Sequence, residues 1–130
     1  MTALDTNVLA RAVLQDDEVQ SPKAVKAIRK LAAGEGAFIS TSVVLELAWV
    51  LRKKKHPAEI YEILHYLLES EGITFASAAL IGEALEIFRA GKIDFGDALL
   101  LTEAQAHGIS KVITYDEMLL RSDKRVAPVA

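Results

Sequence analysis

Two acidic side chains stand where a small domain of strands and helices could use them for chemistry. Asp5 follows a short apolar stretch, and Asp116 follows the apolar run Val112-Ile113-Thr114 by one residue. Because parallel strands end at the same edge of a sheet, both carboxylates are expected at that edge, where α/β domains bind their ligands. Helix capping explains either residue alone equally well, because Asp is a preferred N-cap.

Glu46 is the only charged residue in the stretch 43–51, which reads Val-Val-Leu-Glu-Leu-Ala-Trp-Val-Leu. We expect it to be at least partly buried, because apolar residues occupy most of the helix circumference around it. A buried, unpaired carboxylate is costly, so such a group normally becomes neutral or finds a cation. The alternatives are a buried salt bridge, for example to Arg11, and an exposed stripe. We favour a cation-binding role.

Asp94 and Asp97 lie three residues apart at the start of a predicted helix, so both face its first turn. Taken alone, they indicate an N-cap and a first-turn acid favoured by the helix dipole. Taken with Asp5, Glu46 and Asp116, the capping explanation has to be repeated for every acid. The set therefore favours a shared chemical role.

Clustered carboxylates offer hard oxygen ligands, which suit Mg²⁺ or Mn²⁺ rather than zinc. Such an ion can polarise a phosphodiester and generate hydroxide, and a second ion can stabilise the leaving oxygen. The chain has no cysteine, which excludes thiolate zinc sites, iron–sulfur clusters and cysteine nucleophiles. His56, His65 and His107 lack the H-E-x-x-H spacing, and we assign them no direct role.

The charge balance argues against nucleic-acid binding by charge alone. The chain has 15 Lys and Arg against 18 Asp and Glu, a net charge of −3, whereas such domains are usually basic. Bound metal ions would supply the missing positive field. The basic run Arg52-Lys53-Lys54-Lys55 could hold a phosphate backbone, although a solvated helix end favoured by the dipole explains it at least as well.

Other nucleotide-binding and nucleophile motifs are missing. The sequence contains no G-x-G-x-x-G and no Walker A loop, so the glycine-marked nucleotide folds are unsupported. It also lacks G-x-S-x-G, the usual strand-to-helix serine nucleophile.

The elements that position these acids follow from the hydrophobic pattern and its punctuation. Helices are predicted after Asp5-Thr6-Asn7, from Ser21-Pro22 to Gly34, from Val43 to Lys55 and from Pro57 to Gly72. Three more follow, from Ser77 to Gly91, from Asp94 to His107, and before Val126. The predicted strands are Thr2 to Leu4, Ala37 to Ile39, Ile73 to Phe75, Lys111 to Thr114, and a last one near Val126. This alternation predicts a three-layer α/β/α sandwich with a parallel sheet.

Length and composition predict one domain over residues 1–130. Hydrophobic residues make up 52% and charged residues 25%, which is ordinary globular composition and excludes intrinsic disorder. We see no cationic leader followed by an apolar stretch, and no apolar run near the ~20 residues of a membrane span. The expectation is a soluble, cytoplasmic protein that does not contact a membrane.

Four motifs in chain order resemble PIN-domain nucleases. Asp5-Thr6-Asn7-Val8-Leu9 is similar to the opening of that family. Its later acidic motifs are matched by Val44-Leu45-Glu46-Leu47, Asp94-Phe95-Gly96-Asp97-Ala98-Leu99 and Thr114-Tyr115-Asp116. Tyr115 stands where Phe is usual. The stretch Arg11 to Ala24, which contains Gln15-Asp16-Asp17, resembles the VapC-type toxins of toxin–antitoxin pairs.

The resemblance implies a PIN fold with a five-stranded parallel sheet, and a Mg²⁺- or Mn²⁺-dependent endoribonuclease holding one or two ions. It also implies a homodimer silenced by a VapB-type antitoxin, whose C-terminal segment covers the acidic pocket, in a heterotetramer or larger assembly. Carried over by position, it implies four carboxylates that are both catalytic and metal-binding, namely Asp5, Glu46, Asp97 and Asp116. It also implies that Asp94 is an accessory metal ligand and that the hydroxyls of Thr6 and Thr114 support the ligands. Asp97 is preferred to Asp94 because Asp-Ala-Leu matches the family better.

Two other classes compete with a nuclease. A non-catalytic PIN-like module could bind RNA or a protein, although such a module has no need of several mutually repelling carboxylates. A receiver-type phosphoacceptor domain is also a small parallel α/β fold with edge acids. It requires a second acid beside Asp5, where this chain has Thr6 and Asn7, so we rank it last.

Overall fold

Short strands alternate with helices along the whole chain in the computed structural model, which describes residues 1–130. The strands are β1 (Thr2–Ala3), β2 (Ala37–Ile39), β3 (Ile73–Phe75), β4 (Val112–Thr114) and β5 (Val126–Pro128). The helices are α1 (Thr6–Leu14), α2 (Gln20–Ala33), α3 (Thr41–Arg52), α4 (Pro57–Glu69), α5 (Ala78–Arg89), α6 (Phe95–Ala106) and α7 (Glu117–Ser122). Every strand pairing is parallel. The predicted α/β class with parallel strands is confirmed.

Two compact units divide the chain, Met1–Ala78 and Ala79–Ala130, which we call the N-terminal and C-terminal units. In the N-terminal unit, β1, β2 and β3 form a three-stranded sheet in that order. In the C-terminal unit, β4 pairs with β5. The structure thus has sheets of three and two strands, and the predicted single sheet of five strands is not shown. Strands of two or three residues offer few backbone groups for pairing, and each ladder ends within the unit that forms it.

Apolar side chains at helical spacing build the core of the N-terminal unit. α3 buries Val44, Leu47, Ala48 and Leu51, which recur at i, i+3, i+4 and i+7 and so form one stripe. α4 starts at Pro57, as predicted, and contributes a second stripe of Ile60, Leu64 and Leu67. Both helices leave their opposite faces to solvent, and the face of α3 matters for the site described below.

The turn into β3 depends on Gly72, whose φ of 83° lies in the left-handed region. A Cβ atom here would lie 2.1 Å from the carbonyl oxygen of Ala32 at the end of α2. The carbonyl of Gly72 also accepts the backbone N–H of Ala37, at 2.9 Å. Gly72 therefore does more than stop α4, because it lets the end of α2, the start of β2 and the start of β3 meet.

A smaller apolar cluster and an ion pair support the two-stranded sheet of the C-terminal unit. Leu101, Leu119 and Val126 are buried together. Arg125 forms a bidentate pair with Asp123, with Nε–Oδ1 and Nη2–Oδ2 distances of 2.9 and 2.8 Å. Its Nη1 donates to a side chain of α6, the Gln105 Oε1, at 2.7 Å. These hydrogen bonds from Arg125 hold the pKa of the Asp123 carboxyl below its usual value.

Candidate functional site

Asp5 is the N-cap residue of α1, yet its side chain makes no capping hydrogen bond. Its backbone carbonyl accepts from the N–H groups of Val8 and Leu9, at 3.1 and 3.3 Å. The residue is exposed. Asp5 therefore starts α1 through its backbone carbonyl alone, and helix capping does not explain its carboxylate.

Glu46 lies on the exposed face of α3, where Thr6 holds one of its oxygens. The Thr6 Oγ1 hydroxyl donates to Glu46 Oε2 at 3.0 Å, and Thr6 itself is only 6% exposed. The bond joins the residue next to Asp5 to a side chain that is 40 positions further along the chain. Asp5 and Glu46 are the two predicted ligands of the N-terminal unit, and this hydrogen bond connects the backbone next to Asp5 with the side chain of Glu46.

The expectation that Glu46 is partly buried is wrong, because the residue is exposed. α3 buries a single stripe, while Val43, Leu45 and Val50 are only half-buried and Trp49 is 63% exposed. Apolar neighbours in the sequence therefore do not surround the glutamate in space. The alternative of an exposed stripe, which the sequence left open, is the one observed.

Arg11 does not pair with Glu46. Its Nη1 contacts both carboxylate oxygens of Asp16, at 3.1 and 3.0 Å, and its Nε donates to Gln20 at 2.9 Å. Lys54 Nζ reaches the same aspartate at 3.5 Å. Hydrogen bonding from Arg11 lowers the pKa of the Asp16 carboxyl. This ion cluster fixes the loop between α1 and α2 and engages Arg11 away from Glu46.

The basic run follows directly from the helix that holds Glu46. Arg52 is the last residue of α3, and Lys53 is its C-cap with helical backbone angles. Arg52, Lys53 and Lys54 are exposed and Lys55 is half-buried. Cations at a helix C-terminus interact favourably with the dipole, so the run has a structural explanation, and it also places positive charge on the helix of a predicted ligand.

In the C-terminal unit, Asp94 caps α6. Its Oδ1 accepts the backbone N–H of Asp97 at 2.9 Å. Asp97 stands in the first turn of the same helix, and both residues are half-buried. The pair is therefore held together at one helix start, as the spacing predicted, and the capping role belongs to Asp94.

Asp116 is also a helix cap. Its Oδ1 accepts the backbone N–H groups of Met118 and Leu119, at 2.8 and 3.1 Å. The Thr114 Oγ1 in turn accepts the backbone N–H of Asp116 at 3.0 Å. The residue is exposed, and one of its carboxylate oxygens is engaged by the first turn of α7.

A cleft of about 830 Å³ opens on the N-terminal unit but contains none of the predicted ligands. It is lined by apolar side chains of α1, α2 and α4, with Arg29 and Glu62 among its polar residues. The candidate acids of this unit are exposed at the start of α1 and along α3 instead, so the cleft and the acids are different features.

The sequence matches the family model of the PIN domain over residues 2–125. The chain belongs to the PIN-domain family. PIN domains are generally nucleases, and those nucleases typically use divalent metal ions. The resemblance noted from the four acidic motifs is thus confirmed at the level of the family. A search among curated proteins found no match.

The donors of this PIN domain fit such an ion by their chemistry, because carboxylate oxygens are the ligands that Mg²⁺ and Mn²⁺ prefer. Asp5 and Glu46 in the N-terminal unit have carboxylates that helix capping does not use. Within neither unit, however, are three or more acidic or histidine side chains grouped in an arrangement that would hold a metal ion.

None of the helices in this PIN domain is both long and apolar enough to cross a membrane. The longest helix, α2, has 14 residues.

Proposed function

We propose that this PIN domain, residues 1–130, is a Mg²⁺- or Mn²⁺-dependent endoribonuclease. The observation that carries the proposal is the pair Asp5 and Glu46. In a family that is generally nucleolytic, these carboxylates are exposed, unused by helix caps and linked through the Thr6 hydroxyl. Helix capping, the ordinary structural role of such acids, does not explain either carboxylate.

The metal ligands in this proposal are carboxylates named by the family motifs: Asp5, Glu46, Asp97 and Asp116, with Asp94 as an accessory ligand. One or two ions bound there would polarise the phosphodiester and lower the pKa of a water molecule for attack. The four main ligands are also the proposed catalytic residues. Carboxylates assign the ion to the hard oxygen-binding class.

Three side chains are proposed to orient these ligands. The Thr6 hydroxyl holds Glu46 Oε2 and leaves Oε1 for an ion or a water molecule. Asp94 fixes the first turn of α6 and with it the backbone of Asp97. The Thr114 hydroxyl accepts the backbone N–H of Asp116 and so fixes the backbone that carries the Asp116 carboxylate.

The proposed substrate is RNA, and the basic run Arg52, Lys53, Lys54 and Lys55 is proposed to hold its phosphates. The overall charge of −3 does not favour a polyanion, so binding would rest on this local run and on the bound ions. Of the run, Lys54 is already engaged by Asp16, which makes Lys53 the better candidate.

We also propose the biological setting that the motifs resemble, the toxin of a VapBC-type toxin–antitoxin pair. The partners would be a VapB-type antitoxin that covers the acidic residues and a second copy of the chain, in a heterotetramer or larger assembly. The support is the resemblance of residues 11–24 to VapC-type toxins, beside acidic motifs that resemble those of PIN-domain nucleases. The three-layer arrangement and a cytoplasmic location belong to the same proposal.

The test is cleavage of a mixed RNA panel by the purified chain with Mg²⁺, Mn²⁺ or EDTA, beside Asp97→Asn. Asn keeps the size of the side chain but removes the charge, so we expect activity to fall more than about a hundredfold, beyond the loss typical of residues that only support a ligand. Glu103→Gln is the matched control, because it removes one charge from an exposed position of the same helix. Full activity of Asp97→Asn, or cleavage in EDTA, would refute the proposal.

A non-catalytic binding module is the second candidate, and one observation favours it. Asp94 and Asp116, two of the acids in the nuclease proposal, already have a structural role as helix caps. Such a module would bind RNA or a protein without cleavage, and neither Mn²⁺ nor EDTA would change the binding. Cleavage that requires metal and is lost in Asp97→Asn excludes it.

A further inference from the structure

One face of α3 carries an acid, an aromatic ring and a base in succession. Glu46, Trp49 and Lys53 are all exposed, and their spacing of three and then four residues places them on the same side of the helix. Along the axis, Trp49 is about 4.5 Å and Lys53 about 10.5 Å beyond Glu46, at 1.5 Å per residue. The ring thus lies between a proposed metal ligand and the basic run.

Trp49 has no role in the core of the N-terminal unit. It is the one tryptophan of the chain and remains 63% exposed, whereas Ala48 beside it is 5% exposed and Leu47 is 1% exposed. Tryptophan is a residue that burial rewards strongly. α3 buries one apolar stripe but leaves this indole in water. The exposed indole therefore points to a contact partner outside the N-terminal unit.

The neighbours of the indole favour a charged polymer as that partner. On its face of α3, Glu46 lies one turn before it and Lys53 one turn after it, and Trp49 is the one large apolar side chain of the helix that is exposed, since Leu45 and Val50 are half-buried. A protein interface normally needs a contiguous apolar patch with a polar rim. Single-stranded nucleic acids are instead bound by aromatic rings that stack bases beside cations that hold the phosphates.

We propose that Trp49 stacks on a base of single-stranded RNA next to the bond that is cleaved, and that Lys53 holds a neighbouring phosphate. The inference rests on the proposed nuclease function and adds the residue that positions the strand. Unpaired bases are required, because a base inside a duplex is stacked on its neighbours and cannot lie on the indole. Double-stranded RNA is therefore expected to bind more weakly than a single strand.

Two contacts hold the face of α3 that carries Glu46, Trp49 and Lys53, one at each end. Thr6 holds Glu46 at one end, and Asp16 holds Lys54, the residue after Lys53, at the other. Both contacts connect the α3 segment to the region of α1. The ring and the two charges are therefore presented on a braced helix rather than on a loop.

The direct test is the fluorescence of Trp49, which no other tryptophan obscures. The inactive Asp97→Asn chain is titrated in Mg²⁺ with a single-stranded oligouridylate, and the oligonucleotide is checked afterwards to be intact. Stacking predicts quenching that saturates with the oligonucleotide. In the same background, Trp49→Ala is expected to raise the Kd, measured by anisotropy of a labelled strand, roughly 5- to 150-fold, the equivalent of one stacked base.

Two controls separate stacking from other effects. Trp49→Phe should restore most of the affinity, because it keeps an aromatic face. Tyr66→Ala removes another exposed aromatic ring, 73% exposed on α4, and should leave the Kd unchanged. Because Trp49 is exposed, Trp49→Ala should unfold in urea at the same concentration as the parent chain. If it does, the change in its Kd is a binding effect. If Trp49→Ala is destabilised, the Kd of Trp49→Phe and the fluorescence quenching decide instead.

Contrary results would be equally clear. An unquenched indole at saturating RNA, or an unchanged Kd in Trp49→Ala, would overturn the proposal. Dissociation of a dimer by Trp49→Ala with RNA affinity intact would assign the ring to a second copy of the chain. Because these measurements need no cleavage, Trp49-dependent binding by a chain that fails to cut RNA would refute the nuclease proposal alone.

Discussion

Asp5 and Asp116 occupy equivalent positions in the two units, each between a strand and the helix that follows. Their carboxylates are nevertheless used differently. Asp116 Oδ1 accepts two backbone N–H groups of α7, whereas the side chain of Asp5 accepts none from α1. An acid at the start of a helix is therefore not automatically a cap, and only the geometry of the turn decides whether its oxygens are engaged.

The same contrast separates the other acids. In the C-terminal unit Asp94 caps α6 through the N–H of Asp97, while in the N-terminal unit Glu46 receives only a threonine hydroxyl. Structure explains the acids of the C-terminal unit in part, and explains those of the N-terminal unit much less. If the chain binds a metal ion, the N-terminal acids are where the function should be most separable from stability.

The largest effect that would sharpen this contrast is stabilisation by metal. At an Mn²⁺ concentration a hundredfold above the Kd, the free energy of unfolding should rise by about 2.7 kcal/mol, because the ion binds only the folded chain. Asp5→Asn should lose most of this gain while keeping the metal-free stability of the parent. Urea unfolding with and without Mn²⁺ measures both quantities.

Glu103→Gln serves again as the control, and its gain from Mn²⁺ should equal that of the parent. Equal stabilisation of Asp5→Asn and the parent would mean that Asp5 is not a ligand. No stabilisation of the parent at millimolar Mn²⁺ would count against the whole metal site.

A smaller effect tests the caps directly. Asp116→Ala should lower the free energy of unfolding by about 1 kcal/mol, because it leaves two N–H groups of α7 without their acceptor. Asp5→Ala should change it by less than about 0.5 kcal/mol, the usual range for a surface substitution outside such features. Thermal or urea unfolding of the two variants side by side decides the comparison, which fails if their losses are equal.

The smallest effect is a dependence of stability on pH. The pKa of Asp123 is lowered in the folded chain by hydrogen bonds from Arg125, so the folded state favours its charged form. The resulting stabilisation is complete above the ordinary pKa of 3.8 and disappears as the pH falls through the lower folded value. For a pair that is partly exposed, we expect less than about 1 kcal/mol.

Urea unfolding of the parent and of Asp123→Asn between pH 6 and pH 2 would reveal this term. The parent should be the more stable chain at pH 6, and the difference should shrink as the pH falls below about 4. A difference that stays constant over the whole range would assign the loss to packing rather than to the charge of Asp123.

Local signals in the sequence predicted most of the elements. Pro57 begins α4, β2 and β3 have the predicted bounds, and β5 lies where a last strand was expected. Each of these rests on neighbours within a few residues. The Asp94 cap of α6 was predicted for the same reason.

Longer-range features were beyond the pattern. Glu46 was expected inside because its sequence neighbours are apolar, but α3 turns that side to solvent. Its partner, Thr6, is 40 positions away, and the expected partner, Arg11, is engaged by Asp16. The spacing of apolar residues within a helix or strand does not predict such contacts between distant positions. Nor does it predict how the five short strands divide into sheets. Whether the carboxylates act together remains a prediction.

Gly72 has a consequence for how this chain can vary. Its left-handed backbone and the Ala32 carbonyl, 2.1 Å from where a side chain would begin, make the position intolerant of any other amino acid. Gly108 also has a positive φ but meets nothing within 4 Å, so a substitution there carries only the backbone penalty. In a library of random variants, codon 72 would remain nearly invariant among survivors, whereas codon 108 would drift.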